Sequence, residues 1–547
     1  MGIPSYFSYL IRHHTNIICN AAFFMKNHIR FNRLYMDCNS ILYDSYRSIS
    51  QSLSIEEFQT ALLDKTAKQI EHYIEQINPS DYIFIAFDGV APMAKMEQQR
   101  NRRYKSWFES SILNTIEPPD VPVDVEKTTC MFTPGTQFMQ RLSDYIRVRF
   151  EKKETRYRVK SIIVTTSDEP GEGEHKLYNH LRTYPCSDDE YSVVYGLDAD
   201  LLMLSLFHLR YCPHLYVFRE APQFASIDTV KNCGPEEPIF LDIGKLGRSI
   251  SHEMRCSAPD NHRMMDYVFL CFFLGNDFLP HFPNLNIRTH GITHLLDIYR
   301  EVIGNKAEQF LLSKTNPPTI QWKTLSRFIT ALAKHEHPWI REEYAIRSKW
   351  NKKPVSLQPK KSVKERMELF WNTPVLYRQE ELFINPYENE WQQRYYNRLF
   401  PSDTTIQDVC MNYLEGLEWV YQYYLLGKID WSWKYRYHYP PLLEHLALKT
   451  PHYNTQFLSN LNTKPVHPYT QLSYVLPPIY HFLLPPYLAK KLRTLYSAYY
   501  VGKPNQDNIP QLEFQWSFCR YFWESHVYLP IMPLTVLQDI EKEAAKL

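Results

Sequence analysis

Several apolar runs in this chain end in an acid. RLYMD ends in Asp37 and YIFIAFD ends in Asp88. SIIVTT leads into DEPGEGE, which carries Glu172 and Glu174, and YSVVY leads into GLDAD, which carries Asp198 and Asp200. A fifth element, Gly275-Asn276-Asp277, follows the apolar stretch FLCFFL. In open parallel sheets, sites form at the carboxyl ends of the strands, so acids far apart in sequence can converge there. A single acid in such a place usually caps a helix or a turn. The spaced pairs Glu172/Glu174 and Asp198/Asp200 are different, because two carboxylates pointing one way repel unless a cation lies between them. A set of five to seven carboxylates with few histidines and no clustered cysteines favours a hard, oxygen-seeking cation, Mg²⁺ or Mn²⁺. Two such ions about 3.5–4 Å apart can activate a water and stabilise the leaving oxygen in phosphodiester cleavage.

The segment GVAPMAKMEQQRNRRYK follows Asp88 directly. Its Lys95, Gln99, Arg102 and Arg103 stand at i, i+4, i+7 and i+8, within a helical arc of about 100°. Three cations and an amide on one face form either a solvated basic surface or a phosphate receptor. Arginine suits bidentate contact with phosphate, and the place of this helix after a candidate metal ligand favours the receptor. GEGEHK is no dinucleotide fingerprint: the third glycine is missing and the preceding residues are acidic.

The elements that must carry these residues alternate between short apolar runs and helical periods over residues 1–315. That pattern predicts an α/β fold, a largely parallel twisted sheet with flanking helices. Strands are expected at 33–37, 82–88, 161–166, 191–195, 215–219 and 238–242. Helices are expected near 55–77, 92–108, 135–151, 173–183, 200–208 and 264–274. Residues 316–370 read as a connector, partly basic through Lys352, Lys353, Lys360, Lys361, Lys364 and Arg366. Residues 371–547 are rich in aromatics and poor in glycine, with helical patterns near 405–426 and 531–546. They read as a second, mostly helical region packed on the first. Lys and Arg number 61 against 60 Asp and Glu, so nucleic acid would have to bind through a local patch rather than a global field. The ten cysteines are never closer than 15 positions, which excludes a cysteine-rich zinc site and suggests a reducing compartment. No apolar run reaches the roughly 18 residues of a membrane span. A cytoplasmic location is expected ahead of a nuclear one.

Taken together, MGIPSYFSYL, LYMDCNS, FDGVAPMAKMEQQRNRRY, FTPGTQFMQRL, DEPGEGEHK, YGLDADLLML and FLGNDFLPHFP resemble the XRN family of 5′→3′ exoribonucleases. GLEWVYQYYLLGKIDWSWKYRYHYPP, PYTQLSYVLPP and FWESHVYLP extend the likeness over most of 371–530. The resemblance implies a nuclease core related to flap endonucleases and PIN-like folds, with the second region bracing it and narrowing access to single strands. It implies that Asp37, Asp88, Glu172, Glu174, Asp198, Asp200 and Asp277 form a two-metal centre for Mg²⁺ or Mn²⁺. It also implies that Lys95, Gln99, Arg102 and Arg103 hold the 5′-monophosphate of single-stranded RNA, such as decapped mRNA, degraded processively to mononucleotides by a monomer. Where the family usually places a histidine that stacks on a terminal base, six positions after the first aspartate, this chain has Tyr43. Trp431 and Trp433 are the candidates for the partnering tryptophan. The long C-terminal extension of the large cytoplasmic members and the zinc knuckle of the nuclear ones find no counterpart, so a minimal catalytic-core form is expected. The competing readings are a flap-type structure-specific DNA nuclease and an inactive RNA-binding scaffold of the same fold.

Overall fold

The computed structural model describes residues 2–3, 5–119, 124–220, 238–257, 260–351, 362–458 and 463–547. Seven strands form one sheet: β1 (Ile18–Cys19), β2 (Arg33–Asp37), β3 (Tyr82–Ala86), β4 (Ser161–Thr165), β5 (Tyr191–Tyr195), β6 (His214–Glu220) and β7 (Pro238–Asp242), in the order β1-β7-β6-β5-β2-β3-β4. The five strands from β6 to β4 run parallel, and β7 and β1 are added antiparallel at one edge. Alternate side chains of each strand enter two different cores, as the two-residue period of a strand requires. Tyr35, Phe84, Val194 and Val217 pack on one face, and Leu34, Met36, Ile83, Ile85 and Val193 on the other. Helices cover both faces, so the central strands are apolar almost without interruption. The helix Ile55–Ile77 opens with a capping box between Ser54 and Glu57.

From β2 the chain moves outward to β3 and β4, then returns to the other side of β2 for β5 and β6. The reversal lies between β2 and β5, and a crevice opens at their carboxyl ends. Asp37 ends β2, while Asp198 and Asp200 follow β5.

The expected strands and helices are present, about half of them with the expected ends and most of the others shifted by a few residues. The basic helix is longer than expected, Met93–Ile116. Strand β1 is too short to carry a periodic signal. Within the connector 316–370 lie the helices Trp322–Ala333 and Glu336–Asn351, and Trp322, Leu325, Phe328 and Ile329 enter the main core. Lys352, Lys353, Lys360 and Lys361 lie outside the described residues. Lys364 and Arg366 sit on a further helix, Val363–Trp371, and Arg366 donates to the Ile116 carbonyl at 2.8 Å. Helices dominate the regular structure of the second region among its described residues, with one short ladder, Phe514–Gln515 with His526–Val527, and long irregular stretches such as 427–442 between them. Its helix Ile406–Tyr421 continues into a π-turn, Gln422–Leu426. Leu414, Leu417 and Trp419 join the same core as Leu202 and Leu206 of the first region. No helix among the described residues is long and apolar enough to cross a membrane.

Candidate active site

The sheet brings the strand-end acids to one basin. Asp88 stands two residues beyond β3, and its Oδ1 accepts the Gly173 amide at 2.7 Å. Glu172 caps the helix Gly173–Thr183, with Glu174 in its first turn, and Asp200 begins the helix Asp200–His208. Helix N-termini favour carboxylates, which offsets part of the cost of gathering them. A Cβ at Gly173 would lie 2.7 Å from Asp37 Oδ1, so a larger residue there would displace that carboxylate. Asp277 comes from the loop after the helix Arg263–Cys271 rather than from a strand. Asp198 is exposed at the rim, whereas Asp200 and Glu172 are buried. Asp168, of the same acidic motif, lies apart and pairs with Arg147 at 2.8 Å.

Crowding is visible in the protonation of the group. Burial, then the charges of Asp88 and Asp198, push the Asp37 carboxyl well above the usual range. Burial and Glu172 raise Asp88, and burial with Glu172 and Asp200 raises Glu174 strongly. Burial and Asp277 push Asp200 up to about 7. Asp200 Oδ1 is buried with no hydrogen-bond partner. A lysine enters the basin: Lys95 Nζ lies 2.6 Å from Glu172 Oε2 and 2.9 Å from Asp277 Oδ2. Those carboxylates hold the ammonium charged against its burial.

Among the described residues no three of these side chains close on a single point as they stand. Two of the acids instead bracket the Lys95 ammonium. The donors are nevertheless of the right kind for Mg²⁺ or Mn²⁺, being all carboxylate oxygens. The excess of negative charge, the raised carboxyls and the orphaned Asp200 oxygen are what a site short of cationic charge shows.

Lys95 thus belongs to the acid cluster as much as to the basic face. Its helical neighbours complete that face. Gln99 is buried and its Oε1 accepts from Gln471, whose own Oε1 accepts the Ala91 amide at 2.9 Å. Arg102 lies within the field of Tyr43, Asp277, Asp198 and Asp88. Arg103 Nη1 is buried without a partner, a donor waiting for an acceptor. The opposite face of the helix is locked to the second region. Arg100 donates to Tyr499 O and Pro530 O, and Glu97 pairs with Lys434 at 2.5 Å and with the Tyr474 hydroxyl.

Tyr43 is partly buried beside the two arginines and packs edge-on against Phe132, with ring centroids 5.2 Å apart. Trp431 is also partly buried, and its carbonyl accepts the Met93 amide at the start of the basic helix. Trp433 is a core residue: it is buried, stacks on Trp419 at 5.3 Å, and donates to Glu415. Of the two tryptophans, only Trp431 retains partial exposure.

Sequence reasoning missed three contributors. Tyr423, in the π-turn, donates to Glu172 Oε1 at 2.5 Å and stacks on His175 at 3.6 Å. Its neighbour Tyr424 lies against Asp200. Lys176 donates to the carbonyls of Phe87 and Thr166, pinning the ends of β3 and β4. The π-turn was the available structural cue, since such turns concentrate at functional sites, but its extra residue leaves no mark on an apolar pattern.

Comparison with known proteins extends these observations. A family model described as the XRN 5′-3′ exonuclease N-terminus matches residues 1–221, and one described as the Xrn1 helical domain matches 259–375 and 377–537. The chain is 26% identical to 5′-3′ exoribonuclease 1 of Homo sapiens over 542 residues, covering 89% of this chain and 31% of that protein. It is 26% identical to 5′-3′ exoribonuclease 1 of Saccharomyces cerevisiae, covering 89% of this chain and 40% of the relative. Against 5′-3′ exoribonuclease 2 of Gallus gallus the identity is again 26%, over 89% of this chain and 64% of the relative. The chain therefore spans between about a third and two thirds of the length of these curated relatives.

Proposed function

Because this chain belongs to the family of XRN 5′-3′ exonucleases, we propose that it is a 5′→3′ exoribonuclease acting processively on single-stranded, 5′-monophosphorylated RNA such as decapped mRNA, and releasing mononucleotides. The observation that carries this reading is the convergence of strand-end carboxylates around Lys95, with Arg102 of the same helix in their field and the Arg103 Nη1 beside it buried without a partner. Residues 1–315 supply the chemistry, and 371–547 brace it and restrict access to single strands. Asp37, Asp88, Glu172, Glu174, Asp198, Asp200 and Asp277 would hold two Mg²⁺ or Mn²⁺ ions. When bound there, the ions supply an activated water and charge stabilisation for the leaving oxygen.

The chain's own residues do the rest. Gln99, Arg102 and Arg103 receive the terminal phosphate, with Lys95 spanning the gap between that pocket and the acids. Such a receptor would suit a monophosphate and disfavour a cap or triphosphate. Tyr43 and Trp431 offer ring faces to the terminal bases with little sequence preference. Tyr423 fixes the orientation of Glu172.

The test uses RNA with a 5′-monophosphate, the same RNA with a 5′-triphosphate, and a flapped DNA, each with Mg²⁺ and with EDTA. Degradation of the monophosphate RNA alone, to mononucleotides and only with Mg²⁺, is expected. Arg103→Ala should slow that reaction about 10- to 100-fold, corresponding to loss of a charged hydrogen bond, and should affect 5′-hydroxyl RNA far less. Cleavage of the flapped DNA in preference, or no Mg²⁺-dependent cleavage of RNA, would overturn the proposal.

A further inference from the structure

Beyond the acid basin, the surface carries a run of alternating rings and guanidinium groups. Arg520 lies over Trp350 at 5.1 Å and over Tyr521 at 4.5 Å. Tyr521 and Trp523 are stacked at 5.8 Å with 14° between their planes, and Arg288 lies over both rings at 5.7 and 5.8 Å. Trp350 lies at the end of the helix Glu336–Asn351, Tyr521 and Trp523 belong to a 3-10 turn and its cap near the end of the chain, and Arg288 comes from the loop after Asp277. Three distant segments thus meet at one strip.

The groups differ in how well they are satisfied. Arg288 pairs with Glu524 at 2.6 Å and bonds Ser5 Oγ at 3.1 Å. The Arg520 guanidinium bonds the Asn372 side chain and has no carboxylate partner among the described residues, although the Arg520 amide donates to Glu524 Oε2 at 2.7 Å. Trp523 leaves 36% of its surface in water. A large aromatic ring held open between packed neighbours, beside a cation lacking a counter-charge, is an arrangement without a folding purpose that accounts for the exposure. Stacked ring faces with adjacent guanidinium groups are what single-stranded nucleic acid binds: the bases stack and the phosphates meet the charge.

The strip adjoins the acid centre. Ser5, bonded to Arg288, is three residues from Gly2, whose α-carbon abuts Asp200. Three residues of extended chain span at most about 11 Å. On the other side, His281 lies within the field of Glu524 and Arg288, and a Cβ at Gly275 would touch His281 at 2.6 Å for its amide nitrogen.

We propose that Trp523, Tyr521 and Trp350, with Arg520 and Arg288, form a second RNA subsite for single-stranded nucleotides downstream of the 5′ end. Its ligand is a sequence-tolerant stretch of RNA backbone and bases, and its role is retention of the strand between successive cuts. This rests on the exoribonuclease reading, and the experiment separates the two.

Binding in EDTA is measured for 5′-monophosphorylated RNAs of about four and about sixteen nucleotides, lengths that bracket known single-strand site sizes. Wild type should bind the longer RNA more tightly. Trp523→Ala should erase about 10-fold of that gain, leave the affinity for the short RNA unchanged, and shorten the processive run in Mg²⁺. Trp523→Phe should restore most of it. Arg520→Gln should lower the salt dependence of long-RNA binding by about one phosphate contact, a loss a folding defect would not mimic. Melting curves confirm that each variant is folded. If wild type degrades RNA but Trp523→Ala and Arg520→Gln bind both lengths as wild type does, the strip is no RNA subsite and is left as a surface for a protein partner. If wild type itself degrades no RNA, the exoribonuclease reading has failed instead.

Discussion

Two buried clusters of charge among the described residues are built on opposite principles. Where the helix Glu336–Asn351 meets the second region, Glu381 lies between Arg347 and Arg378 at 2.5 and 2.6 Å, all three side chains at most 1% exposed. Glu381 Oε1 also accepts the Phe518 amide, and Arg347 donates to Cys519 O. Glu343 lies in the field of Arg347 as a second carboxylate, so the charges stand two against two, and the Glu381 carboxyl is held below the ordinary range despite burial. At the carboxyl ends of β2, β3, β4 and β5 the balance is reversed. There the acids outnumber the lysine between them, and Asp37, Asp88, Glu174 and Asp200 are all raised. A matched cluster ties chain segments together. An unmatched one costs stability and is retained for what it binds.

The two should respond oppositely to the loss of one carboxylate. Glu381→Ala leaves two buried guanidinium groups with Glu343 alone to balance them and should destabilise the fold by about 3–5 kcal/mol in urea melts. Whatever protein remains folded should cleave RNA at nearly the wild-type rate. An equally large loss of specific activity in the folded fraction would tie that cluster to the chemistry and break the contrast.

A smaller effect sharpens it. Tyr423→Phe removes one hydrogen bond to Glu172 while keeping the stack on His175. It should weaken the binding of Mn²⁺, read by calorimetry, by about 5-fold, the equivalent of roughly 1 kcal/mol. Stability in EDTA should change little. Unchanged Mn²⁺ affinity would remove Tyr423 from the site.

The contrast also shows what a sequence reveals. The acids of the first region were legible because each ends an apolar run, and β2, β3, β4 and β5 place run-ends on one edge. The Lys95, Gln99, Arg102 and Arg103 face was legible because helical spacing is local. Glu381, Arg347 and Arg378 were not, since a matched cluster draws on helices distant in sequence and no spacing rule links 347 to 381. Tyr423 and Tyr424 were hidden for a related reason: amid so many aromatics, only the π-turn distinguishes those that reach Glu172 and Asp200. The helices Trp322–Ala333 and Glu336–Asn351 were obscured by the Pro317-Pro318 pair before them and the lysines after them, which resemble a linker. Trp431 and Trp433 stood two positions apart, and only packing against Trp419 assigns Trp433 to the core.

The central claim is that the basin of acids awaits divalent cations. The most direct measurement is the melting temperature of wild type and Asp200→Asn in EDTA and in Mn²⁺, across pH. The Asp200 carboxyl rises from an ordinary 3.8 to about 7 in the fold. Between those values the folded chain keeps a proton that the unfolded chain has lost. Wild-type stability in EDTA should therefore fall as pH rises from about 4 to 7 and level off above that. The amide of Asp200→Asn cannot ionise, so in EDTA at pH 8 the variant should be the more stable, by on the order of 2 kcal/mol. Mn²⁺ should reverse the order, raising wild type well above the variant. Wild type that is the more stable in EDTA at pH 8, with no gain from Mn²⁺, would contradict the account.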